Sequence, residues 1–132
     1  MIVGIGIDLV NIKRFHPWTV FPHARLAKVF TAHEIEYALH EPELGAARLA
    51  ARFAAKEAFF KALCSALGMM PCSVSRVFLL VEVAQELHKA PILRVDYEGL
   101  STLTASCVIP CFSVHLSLTH EGGVAAAFVI LE

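Results

Sequence analysis

The sequence predicts an α+β fold in which a mainly antiparallel sheet packs against one long central helix. Two observations carry this prediction. An Ala-rich stretch with helical periodicity spans residues 44–67, and two apolar stretches near the C-terminus flank a Gly-Gly pair typical of a β-hairpin. The chain has 132 residues, 57% of them hydrophobic, which is enough for one core. No internal repeat or linker interrupts it, so we expect residues 1–132 to form a single domain.

Residues 2–9 are apolar and rich in β-branched side chains, which predicts a strand buried on both faces. Gly4 and Gly6 would let a neighbouring backbone approach closely. Asp8 is expected near the exit of this strand. A carboxylate within an apolar run is costly to bury without a partner or a function, so Asp8 is the first candidate site residue.

The next segment predicts short helical pieces separated by prolines. Asn11 is placed to cap a short helix that ends before Pro17. Pro17 and Pro22 bound a connecting loop, and residues 25–30 begin a second helical piece.

The long helix follows a shorter one with a clear start signal. Thr31 and Glu34 form a capping-box pattern that begins a helix running to about His40. The long helix is then predicted over residues 44–67, with Gly68 as its C-cap. Its apolar stripe consists of Leu49, Phe53, Phe60, Leu63 and Leu67.

Two sets of charged residues interrupt this apolar helix. Glu57 and Lys61 lie one turn apart at one edge of the stripe, whereas Arg48, Arg52 and Lys56 form a separate basic row. Together with the aspartate of the first strand, Glu57 suggests a divalent-metal site. Ordinary alternatives remain open: an intrahelical ion pair for Glu57 and Lys61, and a solvated helix face for the basic row.

The remaining elements complete the predicted sheet. We expect strands over residues 77–83 and 92–95, a short helix over 98–106, and strands over 112–118 and 124–131 joined by a hairpin at 119–123. His120 lies in that hairpin, where it could simply fill the turn.

Composition excludes several classes of function. The net charge of −1 lacks the basic excess of a non-specific nucleic-acid binder. No export signal and no apolar run long enough to cross a bilayer is visible, which predicts a cytoplasmic protein without membrane contact. Only 17% of residues are charged, so we expect part of the apolar surface to be covered in a homo-oligomer. The four cysteines (Cys64, Cys72, Cys107 and Cys111) lack zinc-site spacing and are expected to be small buried hydrophobes.

Four segments, in order, carry a resemblance to a known family: Gly-Ile-Gly-Ile-Asp-Leu-Val at 4–10, Phe-Thr-Ala-His-Glu at 30–34, Arg-Phe-Ala-Ala-Lys-Glu-Ala at 52–58, and His-Leu-Ser-Leu-Thr-His-Glu at 115–121. The chain resembles the holo-acyl-carrier-protein synthases, which are phosphopantetheinyl transferases. The resemblance implies transfer of phosphopantetheine from coenzyme A to a serine of apo-acyl carrier protein, with release of adenosine 3′,5′-bisphosphate, in support of fatty acid biosynthesis.

The resemblance also implies roles for particular residues. Asp8 and Glu57 would be the protein ligands of Mg²⁺, and Lys61 would bind the coenzyme A pyrophosphate; these three are the expected catalytic residues. The serine proton would leave to Glu57 or to a metal-bound water, and the sequence leaves both open. Further coenzyme A contacts are expected from Arg52, Lys56, Ser117, Thr119 and His120.

Partners follow from the same resemblance. A homotrimer would build each site from two chains, and the acidic carrier protein would dock near Arg14, Arg25 and Lys28, with Lys13 a weaker candidate. Three segments depart from the family pattern: 16–22, 66–71 and 89–91. Two alternatives to catalysis stay open, a non-catalytic protein that binds coenzyme A or acyl carrier protein, and an oligomeric structural domain.

Overall fold

The long helix predicted from the Ala-rich stretch is the centre of the fold. In the computed structural model, which describes residues 1–105 and 107–132, it spans Gly45–Leu67 and ends at Gly68, whose φ of 65° is left-handed. The other α-helices span His23–Leu26, Ala32–Leu39 and Tyr97–Leu103. In chain order these helices are α1, α2, α3 (the long helix) and α4.

The main sheet has three antiparallel strands in the order β1-β5-β4. These are β1 (Gly4–Asn11), β4 (Val114–Glu121) and β5 (Val124–Leu131), and a separate two-stranded sheet pairs β2 (Val81–Ala84) with β3 (Ile92–Val95). Asp8 is paired with Ala127 on β5, and Ala127 with Leu118 on β4. A sheet packed against one long helix confirms the predicted α+β class.

The first strand packs directly on the long helix through its glycines. A Cβ on Gly4 would overlap the carbonyl oxygen of Ala62, and a Cβ on Gly6 would overlap that of Ala58. Ala58 and Ala62 are one turn apart, so they form a flat helix face against which only glycine fits. The prediction of a close backbone approach is confirmed.

The outer face of the first strand corrects the prediction of burial on both sides. Inward and outward residues alternate along β1. Ile7 and Leu9 are 60% and 68% exposed, whereas Val10 belongs to the core. The strand also continues to Asn11, so Asp8 lies within it and not at its exit. A continuous apolar run cannot distinguish a strand buried on both faces from one with an exposed apolar face.

The capping predictions in the N-terminal third are confirmed. The side chain of Asn11 accepts a hydrogen bond from the Lys13 amide at the start of a 3-10 helix over Ile12–Phe15. Thr31 and Glu34 form both hydrogen bonds of the capping box that begins α2. The predicted piece over 25–30 is shorter and starts earlier, as α1.

The middle of the chain differs from the prediction. Residues 77–83 were expected to form one strand, but Phe78–Leu80 is a 3-10 helix and β2 begins only at Val81. The hairpin between β4 and β5 is confirmed, with a turn at Gly122 and Gly123, both at positive φ. Helix α4 confirms the short helix expected over 98–106, although Ser106 lies outside the described residues.

Two further expectations can be compared with the structure. Cys64, Cys72 and Cys107 are partly buried, but Cys111 is exposed, which corrects the expectation that all four are buried. Within residues 1–105 and 107–132, no helix combines the length and apolarity that crossing a bilayer requires.

Candidate functional site

The predicted metal and phosphate residues meet where the first strand passes the long helix. Nζ of Lys61 on α3 donates to Oδ1 of Asp8 at 2.8 Å and to the carbonyl oxygen of Ile7 at 3.0 Å. The Asp8 side chain is 14% exposed and that of Lys61 is 51% exposed. Because inward-facing residues of β1 contact α3, the period-two alternation of the strand aims Asp8 at the helix.

Glu57 lies beside this pair, one turn before Lys61. Burial and the like charge of Asp8 raise the pKa of the Glu57 carboxyl, and the cations Lys61 and Arg14 oppose that shift. The alternative of an intrahelical pair between Glu57 and Lys61 is not what the described part of the chain shows, because the Lys61 ammonium bonds to Asp8 instead.

Two neighbouring carboxylates form a site that attracts a cation, and burial together with the charge of Asp8 raises the pKa of Glu57. Carboxylate oxygens are the ligands that Mg²⁺ prefers, and it is commonly held by one or two of them together with substrate phosphates. Within the described residues, no cluster of three or more His, Cys, Asp or Glu side chains is formed. Asp8 and Glu57 therefore suit a metal that takes its other ligands from water and from a substrate, and do not suit a closed structural metal site.

Lys56 does not join this site. Its side chain is fully buried, and Nζ lies 2.7 Å from Oε1 of Glu34 and 2.5 Å from the carbonyl oxygens of Phe78 and Val81. Burial lowers the pKa of the Lys56 ammonium, and the pair with Glu34 opposes that shift. Since an ammonium has three donors and all three are used, this geometry replaces the expected phosphate contact of Lys56 with a structural role.

The solvated-face interpretation of the basic row is wrong for Arg52 as well. Arg52 is 3% exposed, and its guanidinium lies 4.1 Å from the ring centre of Tyr37. Arg48 stacks on the same ring at 4.5 Å and pairs with Glu41 at 2.7 Å. Among the described residues, Nε of Arg52 has no hydrogen-bond partner. A buried donor without a partner is costly, so this N–H of Arg52 is an unsatisfied polar group beside the Tyr37 ring.

A groove of about 370 Å³ brings these arginines near the end of β4. Its lining includes Tyr37, Arg48, Arg52, Thr119 and His120. An aromatic ring, two guanidiniums, a hydroxyl and an imidazole are groups that can hold an aromatic base and a phosphate. The predicted residues Arg52, Thr119 and His120 are therefore brought together.

The groove and the carboxylates are separate within one chain. Nine positions separate Arg52 from Lys61 along α3, which places them on opposite sides of the helix and about 14 Å apart along its axis. Ser117 does not line the groove; it is exposed and pairs in register with Phe128 on the outer face of the sheet. One chain thus contains two separate candidate half-sites, one at the carboxylates and one at the groove.

The predicted basic residues lie at the surface, and two of them lie over the aromatic rings of Phe21 and Phe53. The guanidinium carbon of Arg25 lies 3.8 Å from the ring centre of Phe21, and that of Arg14 lies 4.8 Å from the ring centre of Phe53. Lys28 is also exposed. A guanidinium over the face of an aromatic ring is attracted by that ring, so two of these three charges are held in place.

Two residues of these sites were missed by the sequence interpretation. Glu34 was recognised only as part of a capping box, and its position in an otherwise apolar helix face was the available signal for a second role. Tyr37 carried no signal, because an isolated tyrosine on an amphipathic helix is ordinary.

Comparison with known protein families identifies the class of protein that has this fold and this carboxylate pair. A family model described as the 4′-phosphopantetheinyl transferase superfamily matches residues 4–128. The chain belongs to this superfamily, and the resemblance found in the sequence is confirmed.

Relatives named holo-(acyl-carrier-protein) synthase match along the whole chain. The one from Treponema denticola is 38% identical over 132 residues, covering 100% of this chain and 99% of the relative. The one from Trichlorobacter lovleyi is 39% identical over 133 residues, covering 100% and 98%. Among solved structures, the ACPS–CoA complex of Chronobacterium ammoniagenes has a TM-score of 0.79 and 30% identity, covering 98% of this chain and 96% of that chain.

Proposed function

We propose that this chain transfers phosphopantetheine from coenzyme A to a serine of apo-acyl carrier protein, giving holo-acyl carrier protein and adenosine 3′,5′-bisphosphate. The observation that carries the proposal is the convergence of Asp8, Glu57 and Lys61 between β1 and α3. Full-length similarity to relatives named holo-(acyl-carrier-protein) synthase supports the same reaction. The product would serve fatty acid biosynthesis in the cytoplasm.

Mg²⁺ is the metal that the donor set fits best. Asp8 and Glu57 would hold it, because both are carboxylates and their mutual repulsion favours a divalent cation between them. When bound, the metal would supply positive charge that neutralises the pyrophosphate of coenzyme A and its leaving group.

Lys61 would bind the pyrophosphate directly. Its ammonium is already fixed by Asp8 and by the carbonyl oxygen of Ile7, which leaves one donor for a phosphate oxygen. A half-exposed ammonium held in position costs little to reorganise when negative charge develops on the leaving group.

The proton of the attacking serine would leave to Glu57 or to a water bound to the metal, and both acceptors lie on the carboxylate side of the proposed site. The nucleophile is supplied by the carrier protein, so this chain needs no serine of its own at the site.

The groove at Arg52 and His120 would hold the 3′-phosphoadenosine part of coenzyme A. The solved relative from Chronobacterium ammoniagenes is described as a complex with CoA. Because the groove and the carboxylates lie on opposite sides of α3, we propose that each complete site combines the carboxylates of one chain with the groove of a neighbour. Ser117 would contact the ligand from the same side as Thr119.

A homotrimer would accommodate such shared sites. The outer face of the sheet exposes Ile5, Ile7, Leu9 and Phe128 in one patch. Large exposed apolar patches favour association between subunits. The acidic carrier protein would then dock on the charges of Arg14, Arg25 and Lys28, which stay exposed.

The test is an intact-mass measurement of the carrier protein after incubation with this protein, coenzyme A and Mg²⁺. A gain of one phosphopantetheine that disappears with EDTA supports the proposal. No gain, with a carrier shown to be competent by another transferase, contradicts it; coenzyme A binding without transfer would then indicate the non-catalytic alternative. Asp8→Asn and Glu57→Gln are the variants to compare, because both keep the side-chain shape while removing charge.

A further inference from the structure

A buried ion pair connects three elements on the side of the long helix away from the first strand. Lys56 of α3 pairs with Glu34 of α2, and both side chains have no exposed surface. Lys56 also donates to the carbonyl oxygens of Phe78 and Val81, which flank the entry to β2. Glu34 accepts from the amide of Val83 at 3.1 Å. Every polar atom of the pair is therefore engaged, and we call this arrangement the Lys56–Glu34 pin.

Stability alone does not account for such a pair. Removing two charges from water is expensive, and a well-packed apolar pair of similar volume often stabilises a core as well or better. Buried ionic groups are best explained where they fix one arrangement among several. The pin has that property, because three donors in set directions define where the Lys56 ammonium lies relative to α2 and β2.

The pin and the first strand hold α3 from two sides. Ala58 faces Gly6 of β1, and Lys56 is two residues away, or about 200° around the helix. Glu57 lies between them at about 100° from each. The rotation of α3 about its own axis, which decides where Glu57 points, is thus set by the glycine contact on one side and the pin on the other.

The geometry points to a positioning function for this pair: we propose that Lys56 and Glu34 are positioning residues that fix the rotation of α3 and so aim Glu57 and Lys61 at Asp8. The inference rests on the proposed function for its effect on catalysis. A helix side chain ends about 5 Å from the axis, so a rotation of about 10° displaces it by about 1 Å. A misplacement of that size can slow an enzyme about 100-fold.

The experiment uses the double variant Lys56→Met with Glu34→Leu, which removes both charges and leaves no unpaired ion in the core. We expect a cooperatively folded protein whose kcat falls about 10- to 100-fold while KM for coenzyme A changes less than about threefold. Its crystal structure should show Glu57 displaced from Asp8 and a lengthened contact between Lys61 and Asp8. Unchanged kcat together with unchanged positions of Glu57 and Lys61 overturns the inference.

Leu49→Ala is the matched control. Leu49 is fully buried on the same helix, eight positions before Glu57 and outside both half-sites, so its truncation lowers stability without touching the pin. We expect its kcat per folded molecule to match that of the unmodified protein. An equal loss of kcat in the control would overturn the inference, because destabilisation alone would then explain the result.

Two further outcomes are also decisive. If the double variant does not fold, Glu34→Gln replaces it, since the amide keeps the shape but turns a donor toward the Val83 amide; undiminished kcat with Glu57 in place then counts against the inference. If the unmodified protein transfers nothing, the proposed function fails, and the crystal structures alone decide whether the pin positions Glu57.

Discussion

Lys61 on the long helix and Asp8 on the first strand form the contact that joins the two elements of the candidate half-site at the carboxylates, with 2.8 Å between Nζ and Oδ1. The contact crosses 53 positions of sequence. It orients the ammonium by means of a carboxylate and a main-chain carbonyl, so the direction of the lysine side chain is fixed within the fold.

Lys61→Ala should slow transfer far more than it destabilises the fold. An ion pair whose lysine is half exposed contributes about 1 kcal/mol or less to the free energy of unfolding, whereas loss of a positioned cation at a leaving phosphate costs about 100-fold in kcat. Steady-state kinetics and urea unfolding measure the two effects. Lys89→Ala is the control, because Lys89 also forms an exposed ion pair, with Glu86. Equal kcat in both variants would contradict the phosphate role of Lys61.

Glu57→Gln should lower transfer activity and, as the pH rises, increase the stability of the metal-free fold. Because the pKa of Glu57 is raised in the folded protein, its favourable contribution is complete below the unfolded value of about 4.5 and is lost as the pH rises through the folded value. The metal-free variant should therefore gain stability relative to the unmodified protein as the pH rises over that window, by less than about 1 kcal/mol because the side chain is partly solvated. Transfer activity should fall at least about 100-fold. A constant stability difference from pH 4 to 8 would refute the charge argument.

Metal affinity should follow the same carboxyl group. A ligand must lose its proton before it binds, so Mg²⁺ affinity should weaken as the pH falls through the raised pKa of Glu57 and stay constant well above it. Titration calorimetry at several pH values measures this dependence. In metal-free Asp8→Asn the pKa of Glu57, followed by the NMR shift of its carboxyl carbon, should move down, since the like charge that helps raise it is gone; an unmoved pKa would remove Asp8 as a cause.

Gly6→Ala should be severely destabilising. The added Cβ would overlap the carbonyl oxygen of Ala58, and main-chain atoms of a helix cannot move away as a flexible side chain can. We expect a loss of about 3 kcal/mol in urea unfolding. Gly122→Ala provides the comparison, because it meets no atom within 4 Å and carries only the strain of its φ of 59°, worth about 1 kcal/mol. A smaller loss for Gly6→Ala than for Gly122→Ala would refute the close packing of β1 on α3.

Arg25→Glu should weaken use of the carrier protein without affecting coenzyme A. The guanidinium is stacked on Phe21 and exposed, so charge reversal repels an acidic partner while leaving both half-sites intact. We expect KM for the carrier to rise about tenfold, with a difference that shrinks at high salt. Arg76→Glu reverses an exposed charge that is not among the proposed docking residues Arg14, Arg25 and Lys28, and it should leave KM for the carrier unchanged. A similar rise in both variants would indicate a general charge effect in place of a docking site.

The sequence predicted those parts of the fold that local chemistry specifies. The capping box at Thr31 and Glu34, the long helix ended by Gly68, and the hairpin at Gly122 are each decided by residues within a few positions of one another. Asp8, Glu57 and Lys61 were found because charges stand out in apolar segments and because their motifs resemble a known family.

Long-range contacts account for what the sequence did not predict. Periodicity placed Lys56 beside Arg48 and Arg52 on a helix face that was interpreted as solvated. The burial of Lys56 could not be predicted from this helix alone, because its partner Glu34 lies on another helix. The strand expected over residues 77–83 is shorter for a related reason. Phe78 lies in a 3-10 helix, where its carbonyl oxygen accepts a hydrogen bond from Lys56 and not from a neighbouring strand. The exposed outer face of the sheet could not be predicted either, since a single sequence does not indicate which apolar strand has one face without packing partners.

The alternation of the first strand makes this segment intolerant of changes in length. Asp8 faces the helix, while its neighbours Ile7 and Leu9 form the outward apolar surface. Inserting or deleting a single residue before Asp8 would turn the carboxylate outward and an isoleucine or leucine inward. The proposed metal ligand and the proposed subunit contact would then be lost in one genetic event, so natural variation in this strand should consist of substitutions and not of insertions or deletions.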